Sequence, residues 1–320
     1  MSAPLQRREL LKGLLATGLV GPLSGAMASL PPLADEKPFS VHIFSKHLHF
    51  LPYTELAATA SDLGFDGVDL TVRPDGHVEP ARVREDLPKA VQALQQRNLR
   101  ASLMTTAVVK ADDAVSRTVL ETASQQGIRY YRTGWLPYPA NQSMPNALKQ
   151  CRQQLGELAK LNQRLNLAGA YQNHAGTNFG SAVWDLATVL EEINSPGLGC
   201  QYDIRHATVE GGTSWPTGLR MIHPHIRFIA VKDVIWEKVD GKWKAVSVPL
   251  GQGMVDFPAY FALLKQLNVR VPISLHLEYP LGGADQGKRD ITIPREKVYQ
   301  AMQTDLQTLR AMLKKAGLVS

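Results

Sequence analysis

The sequence predicts an α/β chain folded as a single (β/α)8 TIM barrel, and three observations predict it. Eight short apolar stretches alternate with amphipathic ones over roughly 280 residues, the pattern of repeated strand–helix units. Polar and charged side chains that can do chemistry stand at the ends of the later apolar stretches, where a barrel keeps its active site. The segment after the first stretch, Ser45-Lys46-His47-Leu48-His49, has no glycine, whereas an open doubly wound sheet needs a glycine-rich phosphate turn there.

Taken in order, the chain begins with a targeting segment at residues 1–28. Gln6-Arg7-Arg8-Glu9-Leu10-Leu11-Lys12 resembles the twin-arginine export signature, with Gln6 where Ser or Thr is usual. The apolar run from Leu14 to Leu23 is broken by Gly18, Gly21 and Pro22, which makes it too weak to span a membrane. Ala26-Met27-Ala28 supplies a small-x-small cleavage site, so the expectation is a periplasmic protein with no membrane attachment after cleavage. A proline-rich linker, 29–38, leads into the barrel at 39–320.

Expected strands are 40–45, 67–72, 101–106, 130–134, 168–173, 199–203, 227–232 and 273–278. Expected helices are 53–63, 83–95, 113–125, 144–165, 181–193, 217–222, 258–267 and 295–314. The last is the clearest, with Val298, Met302, Leu306, Leu309 and Leu313 at spacings of three and four. Irregular stretches are expected at 73–77, 209–215, 242–256 and 279–289, on the face that carries the site, where they would roof a pocket. The net charge of +6 falls to about +4 once the signal is removed, and no Lys/Arg stripe is present, which argues against a nucleic-acid partner. Cys151 falls in an expected helix and Cys200 in an expected strand; whether they pair is open.

Side-chain alternation along strands decides which residues meet. Gln172 shares a face with Ala170 and His174, Asp203 with Gln201, Lys232 with Ala230 and Phe228, and Glu278 with His276 and Ser274. Gln172, Asp203, Lys232 and Glu278 therefore converge at one end of the barrel. Two carboxylates buried together need a shared cation, either a divalent metal or the Lys232 ammonium. Asp203-x-x-His206 can bind a metal or handle a substrate hydroxyl. The alternative is an Asp capping the next turn, with a surface His. Arg132 and Trp135, after the fourth strand, suit a sugar ring and its hydroxyls, although Trp135 equally suits the core. His47, His49 and His77 lie near the mouth and can meet hydroxyls. Trp215, Trp236 and Trp243 fall in expected loops, as lids or contacts with another chain.

The order of these motifs resembles the xylose isomerase-like superfamily of sugar isomerases and epimerases. Gly64-Phe65-Asp66-Gly67-Val68-Asp69-Leu70 stands on the second strand and Gln172-Asn173-His174 on the fifth. Asp203 to His206 ends the sixth, Ala230-Val231-Lys232-Asp233 the seventh, and Glu278-Tyr279-Pro280 the eighth; Pro249 to Gly253 forms the family's Pro-Leu-Gly-x-Gly loop. The resemblance implies one divalent ion (Mn, Mg, Co or Zn) held by Glu, Asp, His and Glu on strands five to eight. Here those positions are Gln172, Asp203, Ala230 and Glu278, with His206 or His174 to fill the place of the missing imidazole. It also implies a sugar or keto-sugar substrate and proton removal next to a carbonyl. Gln172 cannot act as a base, which leaves Glu278, with Lys232, His206 or His174 as partner. Alternatives are a lyase or hydrolase of 3-keto glycosides, and a non-catalytic sugar-binding barrel. A DNA-repair endonuclease on the same barrel is disfavoured, because Thr105-Thr106 and Val248-Pro249 stand where its metal ligands belong. A homo-oligomer is left open.

Overall fold

The computed structural model describes residues 37–320, so the expected export signal, its cleavage site and most of the linker lie outside the described residues. The barrel strands are β1 (Val41–Phe44), β2 (Gly67–Val72), β3 (Arg100–Thr106), β4 (Tyr130–Arg132), β5 (Ala168–Gln172), β6 (Leu198–Asp203) and β7 (Ile226–Val231). A hairpin, β8 (Asp233–Val239) and β9 (Lys242–Val248), precedes the eighth barrel strand, β10 (Ile273–Leu275). The barrel closes in the order β1-β10-β7-β6-β5-β4-β3-β2, all neighbours parallel. The expected single-domain (β/α)8 barrel is what the chain forms.

Alternation explains the packing. Outward residues such as Ile43, Leu70, Met104, Tyr131, Tyr171, Tyr202 and Ile229 join one continuous core with the surrounding helices. Inward residues Leu103, Tyr130, Ala168, Ala170 and Phe228 form a separate small apolar plug. Toward the C-terminal ends of the strands the interior turns polar, with Asp69, Thr105, Arg132, Gln172, Gln201, Asp203, Ser274 and His276 all buried. An apolar floor under a polar mouth is the division of labour that a barrel enzyme needs.

The helices are α1 (Tyr53–Asp62), α2 (Val83–Gln95), α3 (Ala114–Gln125), α4 (Met144–Arg164), α5 (Val183–Ile193), α6 (Ile204–Gly211), α7 (Trp215–Ile222), α8 (Phe257–Gln266) and α9 (Arg295–Lys315). Asp113 caps α3 by accepting from Ser116 N at 2.7 Å, and Asp256 caps α8 by accepting from Ala259 N at 3.0 Å. α9 buries the expected Val298, Met302, Leu306, Leu309 and Leu313. Both cysteines are buried and unpaired.

Two expected loops are regular structure. The stretch expected to be irregular at 242–256 begins with strand β9, paired with β8 in an antiparallel hairpin. Asp240-Gly241 forms its tip, both residues at positive φ (51° and 77°), as a two-residue hairpin turn requires. Charged residues on both strands hide the alternation. The second case is 209–215, which comprises the end of α6, a 3-10 turn at Gly212–Ser214 and the first residue of α7. Trp215, expected in a loop, is buried at the start of α7 against Tyr260.

Asp233 accounts for the Lys-Asp and Pro-Leu-Gly-x-Gly motifs together. Its carboxylate accepts backbone N–H groups of Val234, Gly251, Gly253 and Val255 at 2.8–3.2 Å. A Cβ on Gly253 would stand 2.2 Å from Asp233 Oδ1, so only glycine fits. This clamp folds the loop after the hairpin back against the end of β7.

Candidate active site

The site grows from the end of β6. Asp203 is fully buried and caps α6, accepting from His206 N at 3.2 Å. Its backbone is held by Asn173, whose Oδ1 accepts from Asp203 N at 2.8 Å and whose Nδ2 donates to Asp203 O at 3.0 Å. The middle residue of Gln172-Asn173-His174 thus fixes where the carboxylate stands. Capping and chemistry are not alternatives here, because Asp203 does the first while its other oxygen faces the mouth. His206 is buried rather than on the surface.

A row of alternating charges runs from that oxygen. Asp203 Oδ2 accepts from Gln172 Nε2 at 2.8 Å and lies 3.2 Å from Lys232 Nζ. Lys232 donates to Glu278 Oε2 at 2.7 Å, and Lys46 donates to Glu278 Oε1 at 3.1 Å. Beside the row, Arg132 Nη1 donates to Gln172 Oε1 at 3.1 Å, and the guanidinium lies 4.2 Å from the Trp135 ring centre. Trp135 and His174 meet edge to face, and the His174 and His206 rings lie 3.9 Å apart, tilted by 39°. His206 Nδ1 accepts from Arg205, so its Nε2 carries the proton, 3.6 Å from Asp203 Oδ2. Gln172, Asp203, Lys232, Glu278, Arg132, Trp135, His174 and His206 therefore form one cluster at the C-terminal mouth.

Two expected contacts stand differently. His47 is buried, its Nε2 accepting from Leu277 N at 3.0 Å and its Nδ1 paired with Ala284 O at 3.3 Å. Both ring nitrogens are spent on backbone, which pins the end of β10 to the following loop. His77 gives Nε2 to Leu51 O at 3.0 Å and packs edge-on against His49. Arg289 ties this corner together, donating to His49 O and Gly76 O. The irregular stretches at 73–77 and 279–289 thus meet over the β1–β2 side of the mouth.

The sequence offers no role for Lys46 or Asp69, and it places His276 on the face of Glu278 without showing what His276 contacts. Lys46 pairs with Glu278, although its neighbours His47 and His49 drew the attention; a lysine at the end of a barrel strand was the available signal. Asp69 is fully buried on β2 and accepts from Ser274 Oγ at 2.6 Å and from Thr105 Oγ1 at 3.0 Å. His276 Nε2 lies 3.0 Å from the same Ser274 Oγ, and that hydroxyl already donates to Asp69. His276 must then donate through Nε2, leaving the Nδ1 lone pair free. The alternation that aligned Ser274, His276 and Glu278 was the clue to this relay.

Electrostatics follow from burial and neighbours. Burial alone would raise the Glu278 pKa, but Lys232, Lys46 and His276 outweigh it and hold the carboxyl well below its usual range. Burial, reinforced by Lys232, lowers His206 and His276 well below the ordinary imidazole value, so both rings are neutral. Burial pushes Arg132 down to about 9 and raises Asp69. Buried atoms at or beside the mouth with no hydrogen-bond partner among the described residues include Arg132 Nε, Trp135 Nε1, His206 Nε2, His276 Nδ1 and both amide atoms of Gln201.

The donor set does not fit the divalent ion that the resemblance implies. Among the described residues, no group of three or more His, Cys, Asp or Glu side chains is placed to hold a metal. Of the expected ligands, Gln172 has its oxygen on Arg132 and turns its NH2 toward Asp203. Asp203 and Glu278 share Lys232, and Ala230, in register with Asp203 and Ser274, offers only a methyl group. His206 lies on the His174 side of Asp203 with a protonated Nε2, and so does not replace the missing imidazole.

The model of the xylose isomerase-like TIM barrel family matches residues 57–311. The chain belongs to that family. No curated protein matches it. Among solved structures, it is similar to a D-allulose 3-epimerase from Methylomonas sp. in complex with D-allulose, at 15% identity and TM-score 0.64, covering 87% of this chain and 98% of that one. A xylose isomerase domain protein from Planctomyces limnophilus has 16% identity and TM-score 0.64 over 89% and 100%. A 3-keto-D-glucoside 4-epimerase from E. coli has 11% identity and TM-score 0.63 over 84% and 99%. At these identities the likeness is one of fold, and the chemistry must come from this chain's own mouth.

Proposed function

We propose that this chain is a sugar isomerase- or epimerase-like enzyme that removes a proton from the carbon next to a carbonyl of a sugar or keto sugar. The observation that carries the reading is the charge row Asp203–Lys232–Glu278–Lys46 at the mouth, flanked by unpartnered polar atoms of Arg132, Trp135, His206 and His276. In the names of two structural neighbours, a D-allulose 3-epimerase and a 3-keto-D-glucoside 4-epimerase, the epimerised carbon is adjacent to the ketone.

In the step proposed, the substrate carbonyl faces the Lys232 ammonium and the sugar ring lies toward Trp135 and Arg132. Glu278 accepts the proton from the adjacent carbon. The electron pair of that C–H bond moves onto the carbonyl oxygen, where Lys232 stabilises the developing negative charge. Proton return decides the product. Return to the original oxygen-bearing carbon from the other face gives an epimer, return to the former carbonyl carbon gives an isomer, and loss of a β-substituent gives an elimination. His276 Nδ1, with its lone pair free, is the second base, the role that Gln172, an amide, cannot fill: it accepts the proton of the substrate hydroxyl, and the proton returned to the opposite face comes from solvent.

The test is exchange in D2O with D-fructose, D-allulose and a 3-keto glucoside, followed by proton NMR. Loss of the signal from the carbon next to the carbonyl is the expected result. Saturable binding of these sugars without exchange of any C–H would replace this reading with the sugar-binding barrel. Export to the periplasm is a further part of the proposal, resting on Arg7-Arg8 and Ala26-Met27-Ala28. Arg7→Lys with Arg8→Lys should leave the full-length chain in the cytoplasm, whereas a wild-type chain that is never processed near Ser29 would refute export.

A further inference from the structure

We infer that Lys232 takes the place of the family's divalent cation, so that this barrel mouth works with a built-in ammonium and without a metal ion. The ammonium stands between Asp203 Oδ2, at 3.2 Å, and Glu278 Oε2, at 2.7 Å, where two carboxylates need a shared cation. The two carboxylates engage two of its three N–H donors, which leaves one to meet a carbonyl oxygen.

Charge and chemistry both exclude a second cation at the same point. Asp203 and Glu278 bring two negative charges, and Lys232 and Lys46 balance them. A divalent ion added there would stand uncompensated, with the Arg132 guanidinium one residue away across Gln172. The walls agree. Gln172 presents N–H rather than a lone pair to Asp203 Oδ2, the oxygen a metal would need. Ala230 has no donor atom, and Glu278 has Lys46 on its other oxygen. Each replacement is minor alone, but all remove ligands from the same ion, and Lys232 is the cation left between the two carboxylates.

An ammonium is a weaker electrophile than a divalent metal, because it offers one N–H to an oxygen where a metal offers a coordination bond and a double charge. It cannot chelate both oxygens of a hydroxyketone. The site should therefore act on carbons whose proton is already acidified by a full ketone, as in keto sugars, rather than on aldoses that must first be opened and chelated. This last step rests on the reading under Proposed function; the absence of metal binding does not.

The full chain, purified without chelator, is assayed by elemental analysis and by calorimetric titration with Mn2+. The expected result is far less than one equivalent of any divalent transition metal and no saturable Mn2+ binding. A triple variant, Lys232→Met with Ala230→His and Gln172→Glu, removes the ammonium and restores donors on strands β5 and β7. Once circular dichroism shows that it is folded, it should bind one Mn2+ saturably, on the order of 10²-fold more tightly than the weakest binding the titration would detect in the parent. One firmly held divalent ion per wild-type chain, lost in Asp203→Ala, would overturn the inference, as would unchanged Mn2+ affinity in the folded triple variant. D2O exchange on a 3-keto glucoside should survive EDTA; exchange that needs added metal would also overturn it. No exchange on any sugar, with wild type metal-free and the triple variant binding Mn2+, would defeat the proposed function and leave the cation replacement standing.

Discussion

Glu278→Gln is expected to lower turnover at least about 10²-fold on whichever keto sugar the wild type exchanges, the usual contribution of a positioned general base. The amide keeps the shape and can still accept from one lysine, but it cannot take a proton from carbon. Its neighbours also lose a partner, since Glu278 alone accepts from both Lys232 and Lys46. KM should change less than kcat, because the carbonyl still meets Lys232. Lys232, Lys46 and His276 hold the Glu278 carboxyl well below its usual range. Its folded pKa is depressed, so the ionised form and the stability it contributes are retained above the ordinary carboxylate value and lost only as pH falls through that lowered pKa. The acid limb of the rate profile should accordingly lie below about pH 4.5. Glu278 is half-buried at the rim, so the fold should survive, and circular dichroism will check this. Full activity in Glu278→Gln would place the proton acceptor elsewhere, and His276→Gln would then be the decisive variant.

Acidification from pH 7.5 to pH 5 should cost several kcal/mol of stability, because buried imidazoles are held neutral. Burial lowers His47 and His49 to about 3 and His77 to about 4, from an ordinary value of 6.5. The unfolded chain takes up protons on these rings below pH 6.5 and the folded chain does not, so stability falls as pH falls through that window. At pH 5 each ring costs about 2 kcal/mol, or roughly 6 kcal/mol for the three. Asp305, raised to about 6 by burial, works in the opposite direction, since its protonated form is favoured by the fold. Asp69, also raised by burial, acts in the same sense as Asp305, while the buried His206 and His276, lowered like the three rings above, add to the loss. Urea melts at pH 7.5 and pH 5 measure the difference, and His77→Gln should flatten the dependence by about 2 kcal/mol. Equal midpoints at the two pH values would mean that these rings are protonated in the folded chain.

Much of this was legible in the residues themselves. Strand and helix periodicity placed all eight barrel strands, because outward positions such as Ile43 and Ile229 must be apolar wherever a strand carries a helix on its back. The same alternation put Gln172, Asp203, Lys232 and Glu278 on inward faces, and those faces do meet. What one chain of letters leaves open is which of several nearby partners a side chain takes. His47 and Lys46 are adjacent, yet one is spent on the backbone of the β10 loop and the other pairs with Glu278, 232 residues away. The β8–β9 hairpin escaped notice because both its faces carry charge, so no apolar period marks it. Which cation stands between the two carboxylates is visible only in three dimensions. The sequence by itself determined a barrel with two carboxylates at one mouth, one lysine near them and an alanine where an imidazole was implied. Tertiary packing decided that the lysine lies between the carboxylates, with Arg132 turning the Gln172 amide, because charge buried in a closed barrel must be balanced by whatever cation the neighbouring strands bring within about 3 Å.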